Sequence, residues 1–508
     1  MRPEGTDVAR RGRTGAVLLC LALGATLLTL APRAAHASIT AAWVIEENAK
    51  PGTRDWRIAS AAPTDIQGYA DRVSAQRGDK VRLYVDTTAA TYHVDAYRLG
   101  WYGGDGARLV WSSAALNGVH QRRPTMDPKT HMVEAPWKRS LTITIGPRWV
   151  QGDYLLKLVA STGGQSYVPL VIRDDASRAP IAIVNPVTTW QAYNYWGDAS
   201  LYDGPSGGSS DRATVVSYDR PYDQQRGAGR LLDDLPLIGL VESQGFDLTY
   251  LTDLDLHARP GLLRRHRGVL FTAHDEYWST AMRSGVTKAR AAGVNLAFFG
   301  ANAVYWHIRV KDSPLGPGRR IVCYKSAAED PLSGVNDAEV TVKWRDPPLR
   351  QPETSLLGSM YGCYGVSPQD MVVGNAKAWI YDGTGLRNGD AIAGVVSGEV
   401  DWVWEKKPTP GNLQVLAHSR ISCGDGSHVH TDMVYYSTRS HAGVFHTGSI
   451  GWLEGMGCGP VDPGCEQDAR AITLNVIRAF ARRPAGYAHP AVANAKKFGY
   501  VLTKPTSP

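Results

Sequence analysis

The stretch RGVLFTAHDEYWSTAMRSGVTKARAAGVNLAFFGAN, from Arg267 to Asn302, decides the fold. It opens on a short apolar run, "GVLFTA", of the length and composition of a strand buried on both faces. Five chemically versatile side chains follow at once: His274, Asp275, Glu276, Tyr277 and Trp278. From Ser279, "STAMRSGVTKARAAG" carries apolar residues at helical spacing, with a Ser cap at its start and Gly293 at its close. "VNLAFFGAN" is a second buried strand. Strand, helix, strand in this order is the repeating unit of a parallel sheet with helices on its faces and right-handed crossovers.

Upstream the same rhythm holds. "IAIVNP" (181–186) is an apolar strand, and "RLLDDLPLIGLVESQGF" has helical spacing with Gly245 as its C-terminal stop. "DLTYLTDLDLH" reads as a strand ending in acids. Residues 180–485 are therefore expected to form an α/β domain. After about residue 310 it carries a β-rich insertion, through "EVTVKW", "AKAWIYDG", "IAGVVSGEVDW", "DMVYYST" and "GVFHTGSIGW". The helix "DARAITLNVIRAFARR" then returns to the sheet, and a loosely held tail over 486–508 is expected. Before residue 180 the pattern is different. "KVRLYVDT", "YHVDAYRLGWYGG", "SLTITI", "GDYLLKLVAST" and "YVPLVIRD" are short alternating runs between turns. They predict an antiparallel β-sandwich over 39–175, with "DDASRAP" as linker.

The first residues read as an export signal. Arg10, Arg11 and Arg13 precede an apolar run from Ala16 to Leu30, and "AHA" places a Sec-type cleavage site after Ala37. The expected location is therefore extracellular, with no membrane attachment once residues 1–37 are removed. That segment holds five Arg against Glu4 and Asp7, so only +4 of the chain's +7 falls on the remainder. This excess is too weak to argue for nucleic acid. Five cysteines lie beyond it, which in an oxidising compartment suggests two disulfides and one thiol. Cys458 and Cys465 form the easiest local pair. The absence of C-x-x-C argues against a zinc knuckle.

Ligands of open α/β sheets sit beyond the carboxyl ends of the strands. Four such ends are rich in polar or aromatic groups: "NPVTTWQAYNYWG", "YLTDLDLH", "FTAHDEYWS" and "FFGANAVYW". No Ser or Cys stands on the turn after 273, and no G-x-S-x-G elbow occurs, so an acyl-enzyme mechanism is disfavoured. The turn instead offers acid–base groups and oxygen or nitrogen ligands. A glycosidase-like use of Asp275 and Glu276 with Asp253 or Asp255 fits less well, because adjacent strand residues face opposite ways.

These motifs, with "NPVTTWQAYNYWGDASLY", "VSYDRPY" and "WRDPPLRQPETSLLG", resemble the C-terminal domain of the N,N-dimethylformamidase large (beta) subunit family. "YRLGWYGGDGAR" resembles the β-domain that precedes it in many members. The resemblance implies a flavodoxin-like, class I amidotransferase-like α/β domain behind a β-sandwich. It also implies an amidohydrolase of linear C–N bonds, using iron held by two tyrosinates and a glutamate to activate water.

Carried over by motif, Tyr277 of "HDEYW" is one metal ligand, Glu339 in "AEVTVKW" is the glutamate, and either Tyr250 or Tyr222 is the second tyrosine. Glu399 of "SGEVDW" is the expected general base and His274 a proton shuttle, while Asn194 and Asn302 orient the substrate carbonyl. Separately, "HVHTD" sets His428, His430 and Asp432 on one strand face, where with His446 they can make an imidazole-rich metal site or simply an exposed face. The 15 Trp and 23 Tyr against 7 Phe keep open a non-catalytic module binding glycan or wall polymer. The expected partner is a small-molecule amide or an extracellular polymer.

Overall fold

The computed structural model describes residues 38–58, 65–224, 228–457 and 466–503. The expected export signal (1–37) and the Cys458–Cys465 pair lie outside the described residues. After a short helix, α1 (Ala42–Asn48), the alternating runs form two antiparallel sheets. β1 (Ile66–Ala70), β2 (Lys80–Thr87) and β5 (Leu141–Thr144) make one, in the order β1-β2-β5. β3 (Thr91–Leu99), β4 (Ala107–Ser112), β6 (Gly152–Ala160) and β7 (Gln165–Ile172) are the main strands of the other, ordered β7-β6-β3-β4. Period-two alternation separates their two faces. Val81, Leu83, Val94, Ala96, Leu156 and Leu158 share a core between the sheets. Tyr97, Leu99, Leu155 and Tyr167 point the other way, into a cluster with Trp190, Tyr218 and Tyr277. The sandwich therefore helps to wall the region that carries the chemistry.

The second architecture is built on a seven-stranded sheet. Its strands are β8 (Ile181–Asn185), β9 (Leu248–Thr252), β10 (Gly268–Ala273), β12 (Asn295–Gly300), β17 (Gln414–Ser422), β18 (His428–Ser437) and β19 (Gly443–His446), in the order β9-β8-β10-β12-β19-β18-β17. β11 (Tyr277–Ser279) stands outside it. The first five in that order pair in parallel, and β18 and β17 extend the sheet antiparallel.

The central strands are apolar on both faces because both faces are covered. Ile181, Ile183, Leu270 and Phe299 pack with Leu237, Ile238 and Val241 of α3 (Leu235–Ser243), and with Ile472, Val476 and Phe480 of the final helix (Gln467–Arg482). Ala182, Val184, Val269, Phe271 and Phe298 pack with Met282, Val286 and Ala289 of the helix Thr280–Ala291. Three elements of this part matter below: α2 (Val187–Tyr193) follows β8, α4 (Asp253–Ala258) follows β9, and α5 (Thr280–Ala291) joins β11 to β12. Ser279 caps α5 through its hydroxyl, and Gly293 leaves it at φ 95°, where a side chain is disfavoured.

The structure is mixed α/β and rich in strands, as expected, but several local expectations fail. "EVTVKW" is not a strand: Asp337–Glu339 is a single 3-10 turn, and the residues after it meet a strand only at the bridge Trp306–Lys343. The alternation there reflects Val340, Val342 and Trp344 dipping into the core, not ladder pairing. "AKAWIYDG" likewise holds a 3-10 turn at Trp379–Tyr381. The stretch after Pro484, expected to be loosely held, packs instead. Ala495 and Tyr500 are buried, and Asn494 pairs both ways with the backbone of Val415. Among the described residues one disulfide forms, Cys363–Cys423, and Cys323 is a buried thiol. No helix among them is long and apolar enough to cross a membrane.

A buried polar seam ties the sandwich to the central sheet. Arg98 of β3 donates to both oxygens of Glu242 on α3, at 2.9 and 2.5 Å. Glu242 also accepts from Tyr250 and Asn48, at 2.7 and 2.9 Å. Beside them Glu47 of α1 accepts from Tyr102 and Arg108. Near this seam Asp153 of β6 accepts from Asn185 at 2.8 Å, and complete burial pushes its carboxyl up to about 7.

Candidate active site

The turn after β10 leaves the sheet where strand order reverses, since β8 lies between β9 and β10. Its backbone is held from several sides. The Glu276 N–H donates to the Thr189 hydroxyl of α2 at 3.0 Å, Val304 N–H donates to Asp275 O, and the Thr188 hydroxyl donates to Tyr277 O at 2.8 Å. Tyr277–Ser279 (β11) then pairs in parallel with β13 (Trp306–Ser313). With its path fixed, the turn sends its side chains into two different surroundings. Asp275 accepts from the Trp278 indole at 2.7 Å, while His274, Glu276 and Tyr277 enter one polar cluster.

That cluster is assembled from distant segments. Tyr202 donates to Glu276 Oε1 at 2.6 Å, and its hydroxyl is 3.3 Å from that of Tyr193. Tyr193 and Tyr202 pack ring against ring at 4.5 Å, and Tyr202 meets Tyr277 edge-on at 6.4 Å. Glu399 reaches in from β16 (Ala391–Trp402), which pairs with β15 (Met360–Val372). Asn302, held at φ 50° with its N–H on Asp401, donates to Glu399 Oε2 at 2.6 Å. His274 Nε2 stands 3.5 Å from both Glu276 Oε2 and Glu399 Oε2. Lys325 lies 3.2 Å from the Tyr202 ring centre and Arg230 3.9 Å from that of Tyr193.

The electrostatics follow from burial. Glu276 is pushed up by desolvation, against the pull of Lys325, and Glu399 rises to about 8 through desolvation and the charge of Glu276. Desolvation drives His274 well below its usual range, with Arg230 as a second cause, and brings Lys325 down to about 8. The His274 contacts are therefore those of a neutral imidazole facing carboxyl groups, not of ion pairs. Buried phenols shift the same way: desolvation, then Glu276, holds the Tyr277 hydroxyl well above its usual range. Four polar atoms are buried without a protein partner: His274 Nδ1, Glu276 Oε2, Tyr277 OH and Asn302 Oδ1. Unpaired groups of this kind are costly in a core and mark a site whose complement is a ligand.

The expected residues divide cleanly. Tyr277, His274, Glu399 and Asn302 are brought together. Glu339 is not: its turn lies at the surface, and its contribution is a backbone carbonyl to Arg309. Tyr250 is spent on Glu242 in the seam, on a different face of the sheet. Tyr222 shares the wider apolar cluster but is set among Arg319, Asp253 and Arg220. Asn194 is committed to local structure, donating to Pro221 O and accepting from the N–H groups of Trp196 and Asp223. Asp253 and Asp255, the carboxylates a glycosidase-like reading would need, serve Thr188 and the α4 cap.

Tyr193, Tyr202, Lys325 and Arg230 were not anticipated, although both tyrosines stand within the "NPVTTWQAYNYWGDASLY" motif. A metal can be weighed on this donor set. Hard anionic oxygens suit ferric iron, and a cation would meet both the surplus of carboxyls and the orphaned Glu276 and Tyr277 oxygens. The residues present fit such an ion.

An oxygen-rich acid–base cluster thus lies at the carboxyl edge of the parallel sheet. The chain belongs to the "N,N-dimethylformamidase beta subunit-like, C-terminal" family, whose model matches residues 93–467. It is 26% identical to the N,N-dimethylformamidase beta subunit of Paracoccus aminophilus over 347 residues, which cover 60% of this chain and 44% of that protein. It is 25% identical to the subunit of the same name from Alcaligenes sp, with the same coverage. The match thus spans less than half the length of these relatives. Among solved structures, an uncharacterized protein from Bacillus anthracis aligns over 20% of this chain and 78% of its own, at 13% identity and a TM-score of 0.14, too slight a likeness to bear on the fold.

Proposed function

We propose that this protein is an exported amidohydrolase that cleaves an amide or related C–N bond of a small molecule at the Glu276–Glu399 cluster. The observation that carries the reading is the meeting of His274, Glu276, Glu399 and three phenols in a buried group with unpaired acceptors. Export rests on the residues before Ala37. A flavodoxin-like, amidotransferase-like sheet is part of this proposal, and the strand order β9-β8-β10-β12-β19 supports that reading.

Iron fits the oxygen set of Glu276, Tyr202 and Tyr193, with Tyr277 as the fourth oxygen of the group. When bound it supplies Lewis acidity toward an amide carbonyl. The remaining roles belong to the chain. Of the two carboxyls, Glu399 is the one with a partly exposed side chain, 20% against 1% for Glu276, so it faces the arriving substrate. Its elevated proton affinity lets it exchange a proton near neutral pH, as a general acid–base must. Asn302 fixes one of its oxygens and leaves the other for the reacting proton. His274 sits between the two carboxyls, its Nε2 3.5 Å from each, and holds them apart as a neutral imidazole, while Lys325 and Arg230 offset the carboxylate charge.

The test is hydrolysis of small N-substituted formamides and acetamides by the purified protein, followed as amine release. Glu399→Gln should lower the rate by about 10²- to 10⁴-fold with the fold intact. Full activity of that variant, or no cleavage of any amide by the parent protein, contradicts the proposal.

A further inference from the structure

The "HVHTD" histidines remain outside this chemistry, and the structure rearranges their expected grouping. His428 turns to Ser422, and His446, buried on β19, bonds Ser359. The residue that joins His430 and Asp432 is instead His418, the cross-strand partner of Asp432 on β17. We propose that His418, His430 and Asp432 form a second metal site, for a divalent d-block cation of the zinc class.

One nitrogen from each ring and one carboxylate oxygen lie mutually within 4.8 Å. His418 Nδ1 is 2.7 Å from Asp432 Oδ1, and His430 Nε2 is 3.9 Å from Asp432 Oδ2. Tetrahedral zinc with bonds near 2.0–2.2 Å needs ligand spacings of about 3.3 Å, which rotation of the two rings can reach. Two imidazoles and a carboxylate favour zinc-class ions over calcium or magnesium.

Three further features point to a ligand here. His430 Nε2 is buried with no protein partner. Asp432 is fully buried, and among the described residues its ion-pair partners are these two imidazoles alone. Its Oδ2 is aimed by the Val403 N–H at 2.9 Å and the Tyr500 hydroxyl at 2.6 Å, the kind of outer support that orients a metal ligand. The site opens on a cleft of about 390 Å³ bounded by Trp402, Trp404, Phe498 and Tyr500. The Trp402 and Trp404 rings stack there at 5.3 Å. A metal with three protein ligands keeps one position open toward that cleft.

The experiment uses the full chain, freed of metal by chelation and titrated with Zn²⁺, and with Co²⁺ as a visible probe. One equivalent should bind with ligand-field bands from an N₂O site, and melting should shift upward. His418→Ala and His430→Ala should each weaken Zn²⁺ binding at least tenfold and lose the bands, while their circular dichroism stays that of the parent. His430→Gln serves as the milder second variant. Glu276→Gln should keep this equivalent, which separates the site from the oxygen-rich cluster. Failure of the parent chain to bind micromolar Zn²⁺, or binding unchanged in both histidine variants, overturns the proposal.

Discussion

The seam around Arg98 and the cluster around Glu276 both bury glutamates, tyrosines and cations, yet they close their hydrogen bonds differently. In the seam both oxygens of Glu242 are paired, and Arg98 also reaches Tyr102 and two backbone carbonyls. Each charge meets its opposite inside the protein, which is how a structural network stays folded. In the Glu276 cluster the carboxyls are pushed up, the imidazole is pushed down, and four polar atoms have no protein partner. The difference teaches that burial of charge alone does not mark a functional site. Incomplete satisfaction, at the carboxyl edge of the sheet, does.

The largest expected effect on stability lies in the seam. Glu242→Ala leaves the buried Arg98 guanidinium without its carboxylate and should destabilise the protein by about 3–5 kcal/mol in urea unfolding. A smaller loss than 1 kcal/mol would erase the contrast between the two regions.

Next is Asp153. Its folded-state proton affinity lies above that of an unfolded Asp, so the native state holds the proton longer. Its contribution to stability is therefore fully present below about pH 4 and is lost as pH rises toward about 7. Asp153→Asn should remove that decline. The difference between the two stability curves should grow with pH to a few kcal/mol and level off above about pH 7. A difference curve that is flat with pH contradicts the assignment.

The smallest effect belongs to Tyr277→Phe. Its hydroxyl makes no protein hydrogen bond, so removal should change unfolding stability by less than about 1 kcal/mol while lowering amide turnover. A large loss of stability would place the hydroxyl in a structural bond.

Much of this was legible along the chain. The apolar runs of β8, β10 and β12 and the Ser279–Gly293 limits of α5 follow from local rules, and the "HDEYW" turn stands where a parallel sheet builds its sites. What local rules miss is convergence. Tyr202 reaches Glu276 only because the loop between α2 and α3 folds back over 74 positions. Tyr250 looked equally suited at its strand end, but Glu242, eight residues earlier on α3, had already engaged it. Glu339 followed a strand-like pattern whose apolar residues dip into the core from a turn. The easy local cysteine pair likewise drew attention from Cys363 and Cys423, which are 60 positions apart and are joined once β15 meets the end of β17.

The most direct test is Glu276→Gln, measured for both unfolding free energy and amide turnover. If the cluster is built for a ligand and not for folding, neutralising this buried carboxyl should leave stability unchanged or raised, while turnover falls by at least about 10²-fold. A variant that unfolds more easily by several kcal/mol, or one that still turns over amide at the parent rate, would contradict it.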